Sequence, residues 1–382
     1  MRNLRNADRS QYIRAIYSPS QPCPPTYFAG RKSHLEFYKR TVLVPKLENL
    51  PPQPTNAAFL GGWGIGKTSL LTYLRELPTH EGFLKADVVK DFGSVEELLS
   101  QSLAKIASSI SRWERLKTAL SKLRGIGVSE FGVEFREERP RLEDALARTW
   151  SVLEEHGVAH CSILIDDLEQ VGEGERKILR DIFQGLAQEG CNYSLVISCN
   201  PSVFEAPAME PVTRFFEKRE LEPFDRGEVW EALNRPLEYL REMEVKLDLS
   251  FEEGYADRLL EWTKGYPYFV KFVTRELALK YKKVRANQLE EHRAELVEAM
   301  GREKFRRDFE SAGERGQQIL TRMAKTGEEE FRASQFKDIP HYQSYLNLLK
   351  DRGLLLRSRR GVYSPYHPLF LEWIRRFGKK TA

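Results

Sequence analysis

No window of the chain approaches the roughly 18 consecutive apolar residues that span a bilayer, and its opening, MRNLRNADRSQYIR, has no apolar run for a secretory signal. No membrane partner is expected, and a cytoplasmic location follows. Cysteine is scarce. Cys23, Cys161, Cys191 and Cys199 show no CxxC or other metal-ligand spacing, so reduced thiols are expected and a zinc site is not. Charge of one sign is lacking too: 60 Lys and Arg face 56 Asp and Glu, a net +4, too mild by itself to mark a nucleic-acid binder. What remains is an ordinary globular composition, 41% hydrophobic and 30% charged over 382 residues, long enough for two or three domains.

Apolar runs at 57–61, 83–89, 162–166, 194–198 and, more weakly, 219–221 alternate with helical patterns. Short buried strands separated by helices predict a parallel three-layer α/β sheet. Residues 1–26 are basic and polar and end in Gln21-Pro22-Cys23-Pro24-Pro25, which reads as a leader strapped along the surface. A short helix over 35–43 and a proline linker at 50–54 precede the sheet. The near alternation of Ile126, Val128, Phe131, Val133 and Phe135 predicts a protruding β-hairpin at 124–137. The resulting division is an α/β domain over 27–224, an all-helical subdomain over 225–309 with Asp225 and Ser250 as helix caps, and a module over 310–382. In that last module three helices are followed by a hairpin, the order of a winged helix.

Gly61-Gly62-Trp63-Gly64-Ile65-Gly66-Lys67-Thr68 matches G-x-x-x-x-G-K-[ST] at every fixed position, with a short strand before it and a helix from Ser69 after it. Glycine-rich backbone turns successive N–H groups toward phosphates, and the helix adds the positive end of its dipole. Lys67 is assigned to the β- and γ-phosphates and the Thr68 hydroxyl to Mg2+. A second carboxylate is needed at another strand end, and Ile163-Leu164-Ile165-Asp166-Asp167 supplies it. Asp166 would hold the magnesium through water, and Asp167 would polarise the attacking water. After the next strand, Asn200, with Ser198 as the lesser alternative, stands where a side chain can sense the γ-phosphate; Asn before Pro201 is also a common turn opener, the weaker of the two readings.

This order of motifs, over residues 27 to about 375, resembles the AAA+ ATPases and the STAND switch ATPases, and more narrowly the archaeal-type ATPases related to origin-recognition initiators. The resemblance implies an AAA+-like P-loop sheet with an α-helical lid and a C-terminal winged helix. It implies ATP and Mg2+ as cofactors and a homo-oligomer, ring or filament, that assembles on ATP binding. It also assigns Gly30-Arg31 to the adenine, and Arg214, with Arg219 behind it, to a finger reaching a neighbour's γ-phosphate; a surface ion pair is the plainer reading of Arg214. Gly265-Tyr266-Pro267 resembles the Gly-x-Pro motif whose proline touches the base. Two departures stand out. Tyr268 occupies the place of a sensor arginine, leaving Lys271 or Arg275 as substitutes. Asp167 stands where fast motors carry glutamate, which implies a slow ATP-gated switch.

Residues 341–382 hold nine basic residues against Asp351 and Glu372, a net +7 that leaves the rest of the chain at −3. Gln343, Asn347 and Lys350 recur on the helix face opposite Tyr345, Leu346 and Leu349, and Arg357, Arg359 and Arg360 surround the Gly361 turn. Amides on an exposed helix and arginines on a wing suit duplex DNA. Tyr363, Tyr366, His367, Phe370 and Trp373 read as core. The competing function is a signalling or defence ATPase whose winged helix packs internally and whose partner is a protein. A nucleotide-transferring kinase is disfavoured for want of a substrate lid.

Overall fold

A computed structural model describes residues 2–3, 6–44, 55–77, 83–89, 94–95, 97–99, 101–102, 126–129, 132–135, 142–155, 157–204 and 209–378. Two compact units result, one of Arg31–Gly61 with Gly66–Glu222, the other of Met1–Gly30, Gly62–Ile65 and Pro223–Ala382. No helix among the described residues is long and apolar enough to cross a membrane.

The first unit is built on five parallel strands, β1 (Ala57–Leu60), β2 (Phe83–Val89), β3 (His160–Ile165), β4 (Tyr193–Cys199) and β5 (Glu217–Glu220), in the order β2-β3-β4-β1-β5. Strands β1, β3 and β4 are buried at every position. Burial on both faces explains why they read as unbroken apolar runs, whereas β5, Glu-Lys-Arg-Glu, is wholly exposed on the sheet's edge. Register sets Leu60 opposite both Cys199 and Glu220, and Ile165 opposite Ile197, so the strands end together at one edge. The helix Lys32–Tyr38 continues as a π-helical turn, Lys39–Leu43, and lays Phe37 edge-on against Phe59 at 5.8 Å. The hairpin forms as expected, with Ile126–Ser129 antiparallel to Gly132–Phe135. Its turn and the linker at 50–54 lie outside the described residues.

In the second unit one hydrophobic core runs through the lid helices, Arg226–Glu242, Tyr255–Thr263, Pro267–Lys280 and Arg293–Met300, and on into the winged helix. The winged helix comprises the helix Gly313–Thr326, a 3-10 turn Ala333–Phe336, the helix Tyr342–Asp351, a three-stranded sheet and the closing helix Pro368–Phe377. In that sheet Val362–Pro365 lies between Phe331–Arg332 and Leu355–Arg359. Tyr363, Tyr366, His367, Phe370 and Trp373 are all buried, as their sequence pattern implied.

Asp225 caps its helix through a full capping box, its carboxylate accepting from the Glu228 N–H. Ser250 does not cap: it pairs with Lys283 in a two-residue strand, and the next helix starts after Gly254. The leader also differs from the surface strap expected. Asn6–Ile16 is a helix whose Ile13 and Ile16, with Tyr17 just beyond it, enter the lid core. Arg9 donates to the carbonyls of Ala278 and Tyr281 at the end of helix Pro267–Lys280, both at 2.7 Å, satisfying acceptors that a helix terminus leaves open.

Candidate nucleotide site and basic module

At the end of β1 the ladder continues for one step, Gly61 N–H donating to the Cys199 carbonyl at 3.1 Å. The chain then turns through Gly64 (φ 77°) and Gly66 (φ 97°) into the helix Lys67–Glu76. Left-handed backbone at both points is what glycine supplies without strain, and it leaves the first N–H groups of the helix unpaired by the helix itself. The Lys67 ammonium donates to the Gly61 carbonyl at 3.0 Å and stands 3.7 Å from the Asp167 carboxylate.

Asp166, 2% exposed, follows β3 directly. Its Oδ2 accepts from the Thr68 hydroxyl and its Oδ1 from the Ser198 hydroxyl, each at 2.6 Å. Ser198 Oγ in turn accepts from the Asp167 N–H at 3.0 Å, fixing that residue in left-handed backbone (φ 53°). Thr68 and Asp166 thus bring two hard oxygen donors together at the foot of the phosphate loop, a set that fits Mg2+, and the glycine backbone with the helix start fits phosphate.

The other sensor candidate is engaged locally. Asn200 Oδ1 accepts from the Ser202 N–H and hydroxyl, capping the short helix Pro201–Phe204, so Ser198 rather than Asn200 meets the carboxylate pair. Glu169 lies beside Cys199, whose thiol is pushed well above its ordinary value, first by burial and then by that carboxylate. Arg31 adopts φ 67°, is buried, and donates to the Glu222 carbonyl. Arg214 is exposed and pairs with Glu210 at 2.5 Å; Arg219 is exposed on β5.

Within the second unit, the Gly30 N–H donates to Glu231 at 3.0 Å. Gly265 (φ 73°) accepts from the Phe224 N–H at 2.8 Å, and a Cβ there would run into the Phe224 carbonyl. Pro267 opens the next helix, and the following Tyr268 N–H donates to the Gly64 carbonyl at 3.1 Å. Neither sensor substitute is an uncommitted cation: Arg275 pairs with Glu276 and Glu303, and Lys271 faces the Cys23 thiol.

On the winged helix, Gln343 and Asn347 are exposed and Lys350 is half-buried, pairing with Asp351 at 3.3 Å. Arg357, Arg359 and Arg360 are exposed around the hairpin turn, where a register shift separates Arg357 from Arg359. Arg359 stands 3.9 Å from Glu330. Lys379 and Lys380 lie outside the described residues.

No family model and no curated protein matches the chain. Solved structures do. The Walker-type ATPase PABY2304 of Pyrococcus abyssi aligns over 94% of this chain and 99% of its own, with 17% identity and a TM-score of 0.51. Cdc6p of Pyrobaculum aerophilum aligns over 96% and 97%, with 14% identity and a TM-score of 0.49. The Orc1 protein of Aeropyrum pernix, solved in complex with DNA, aligns over 97% and 98%, with 16% identity and a TM-score of 0.46. The chain has the fold of that Walker-type ATPase: a parallel α/β sheet followed by a helical subdomain and a C-terminal winged helix.

Proposed function

We propose that the chain is an ATP-binding and slowly hydrolysing switch ATPase that assembles on ATP binding and contacts duplex DNA through its winged helix. The observation that carries the reading is the convergence of Thr68 and Ser198 on the two oxygens of Asp166, beside Lys67 and a glycine-turned loop. In this reading residues 61–69 bind the triphosphate, with Lys67 neutralising its charge. Thr68 and Asp166 hold Mg2+, which supplies charge neutralisation on the phosphate oxygens. Asp167 orients the attacking water, and Ser198 positions both carboxylate residues. Gly30, Arg31, Gly265 and Pro267 are assigned to the adenine and Arg214 to a neighbouring subunit. The division into 27–224, 225–309 and 310–382 belongs to the same proposal.

Lys67→Ala tests it, because the lysine contributes charge to a loop whose shape glycines set. ATP binding should be lost while the far-ultraviolet circular dichroism is retained; equal ATP affinity in mutant and wild type would sink the P-loop assignment.

One observation favours the second reading, a signalling or defence ATPase with a protein partner. The winged helix shares its core with the lid, and His367 donates to the Thr263 carbonyl at 2.9 Å, as an internally packed module would. That packing leaves Gln343, Asn347 and the wing arginines exposed, so the first reading keeps its surface. The mass of the purified protein with and without ATP and duplex DNA separates the two.

A further inference from the structure

Trp63 sits at the apex of the phosphate loop, flanked by Gly62 and Gly64, and is 46% exposed. Its indole nevertheless has two partners, both in its own compact unit. The Tyr268 ring lies 4.4 Å away between centroids, inclined at 59°. The Lys304 ammonium lies 3.5 Å from the indole centroid. Lys304 is held there by Asp308, one turn along, at 2.9 Å, with both side chains only 15% exposed. Asp308 also accepts the Tyr366 hydroxyl at 2.6 Å, and the Tyr366 ring lies 5.4 Å from the same ammonium.

A withdrawn ammonium is costly unless charge and π faces replace its water, and here a carboxylate and two aromatic rings do so. The attraction acts back on the indole. Glycine on either side leaves the apex of the loop with more backbone freedom than any other residue type would, so whatever holds Trp63 limits that freedom.

We propose that Lys304 is a positioning residue of the phosphate loop: by clamping the Trp63 indole it keeps the loop apex in the form that receives a nucleoside triphosphate. The proposal rests on the nucleotide reading of the loop. Arg would preserve the clamp, since a guanidinium stacks on indole as well as an ammonium does, whereas Met keeps the length and removes the charge.

Titration calorimetry of the full chain with Mg·ATP tests it. Lys304→Met should weaken ATP binding about tenfold and Lys304→Arg by no more than about twofold, for a desolvated cation–π contact. Trp63→Leu should weaken binding similarly, and the double variant Trp63→Leu, Lys304→Met should be no worse than either single variant, because both remove the same contact. ATP affinity unchanged in Lys304→Met, or losses that simply add in the double variant, overturns the proposal. Should Lys304→Met fail to fold, Tyr366→Phe, which deletes only the hydroxyl anchoring Asp308, should still weaken ATP binding; unchanged affinity there also overturns it. A wild-type chain that binds no ATP defeats the nucleotide reading first. In that case a Trp63 emission, taken as each protein minus its Trp63→Leu counterpart, that does not change in Lys304→Met shows separately that the clamp is absent.

Discussion

Lowering the pH should loosen the second unit through His367 in particular. The side chain is fully buried and both ring nitrogens are committed: Nε2–H donates to the Thr263 carbonyl at 2.9 Å, and Nδ1 accepts from the Leu369 N–H at 3.2 Å. A carbonyl can only accept and a backbone N–H can only donate, so the neutral Nε2–H tautomer alone satisfies both. Phe269 and Tyr266 cover the ring at 4.1 and 5.5 Å. Burial, with a smaller contribution from Lys264, lowers the imidazole from 6.5 to about 4. The sign follows from linkage. Above pH 6.5 the ring is neutral folded and unfolded, and its contribution is fully present. Below 6.5 the unfolded chain takes up a proton that the fold refuses, and stability is lost down to about pH 4. The whole interval corresponds to about 3 kcal/mol, of which about 2 kcal/mol is gone by pH 5. His367→Asn does not titrate and keeps an acceptor for the Leu369 N–H at the start of its helix. Two compact units need not unfold together, so the readout is the opening free energy from amide exchange in Pro368–Phe377 between pH 7.5 and 5. The wild type should lose about 2 kcal/mol more than the variant over that range. Parallel pH profiles for the two proteins would refute the reasoning.

Four further outcomes are expected. Ser198→Ala strips a partner from Asp166 Oδ1 and from the Asp167 N–H and should lower both stability, by about 1–3 kcal/mol, and Mg2+-dependent ATP hydrolysis; a larger loss of hydrolysis in Asn200→Ala would return the sensor role to Asn200. Asp167→Ala should stop hydrolysis while trapping bound ATP, measured as retained radiolabelled ATP, and normal turnover would assign the water to another residue. Mixing Arg214→Ala with Lys67→Ala subunits should restore some ATPase activity, each supplying what its neighbour lacks; no rescue, together with a monomeric mass in ATP, would leave Arg214 paired with Glu210 only. Replacing Arg357, Arg359 and Arg360 with Ala should weaken binding to every duplex tested and flatten the slope of log affinity against log salt by roughly two to three, at about 0.9 per phosphate, and an unchanged slope would favour the protein-partner reading.

Strands β1, β3 and β4 were legible because residues buried on both faces leave unbroken apolar runs. The glycine turn between Leu60 and the helix Lys67–Glu76 was legible because the motif that spells it admits few variants. The helix Asn6–Ile16 was not: in Asn-Ala-Asp-Arg-Ser-Gln-Tyr-Ile-Arg-Ala-Ile the apolar stripe is Tyr12, Ile13 and Ile16, too short to announce itself without the lid that buries it. Ser250 failed as a cap because a caps-like residue before an apolar run also fits a two-residue strand. That Ser198 touches Asp166 was closed to sequence for a different reason. Ser198 and Asn200 follow the same alternation along β4, and only the register, Ile165 opposite Ile197, brings the next residue pair, Asp166 and Ser198, side by side. The contact of Lys304 with Trp63 joins positions far apart in the sequence, and no local pattern signals it.

The geometry around Lys67 also bears on the slow hydrolysis proposed for this chain. Asp166 has both oxygens engaged, by Thr68 and Ser198, so a cation must share or displace the Thr68 hydroxyl bond to enter. Asp167 is held by its own N–H on Ser198, and its carboxylate stands 3.7 Å from the ammonium that the triphosphate would claim. A triphosphate that draws Lys67 away would therefore also take from Asp167 the ammonium it stands beside. An aspartate side chain, one methylene shorter than glutamate, has less reach toward the water, and poor alignment of a general base lowers turnover without lowering affinity. Asp167→Glu should accordingly raise the hydrolysis rate at saturating ATP while leaving ATP affinity within about twofold, a split that a loop-shape effect would not produce. Turnover that falls in Asp167→Glu along with ATP affinity would mean that the short side chain is needed for the pairing with Lys67, and that slowness originates elsewhere.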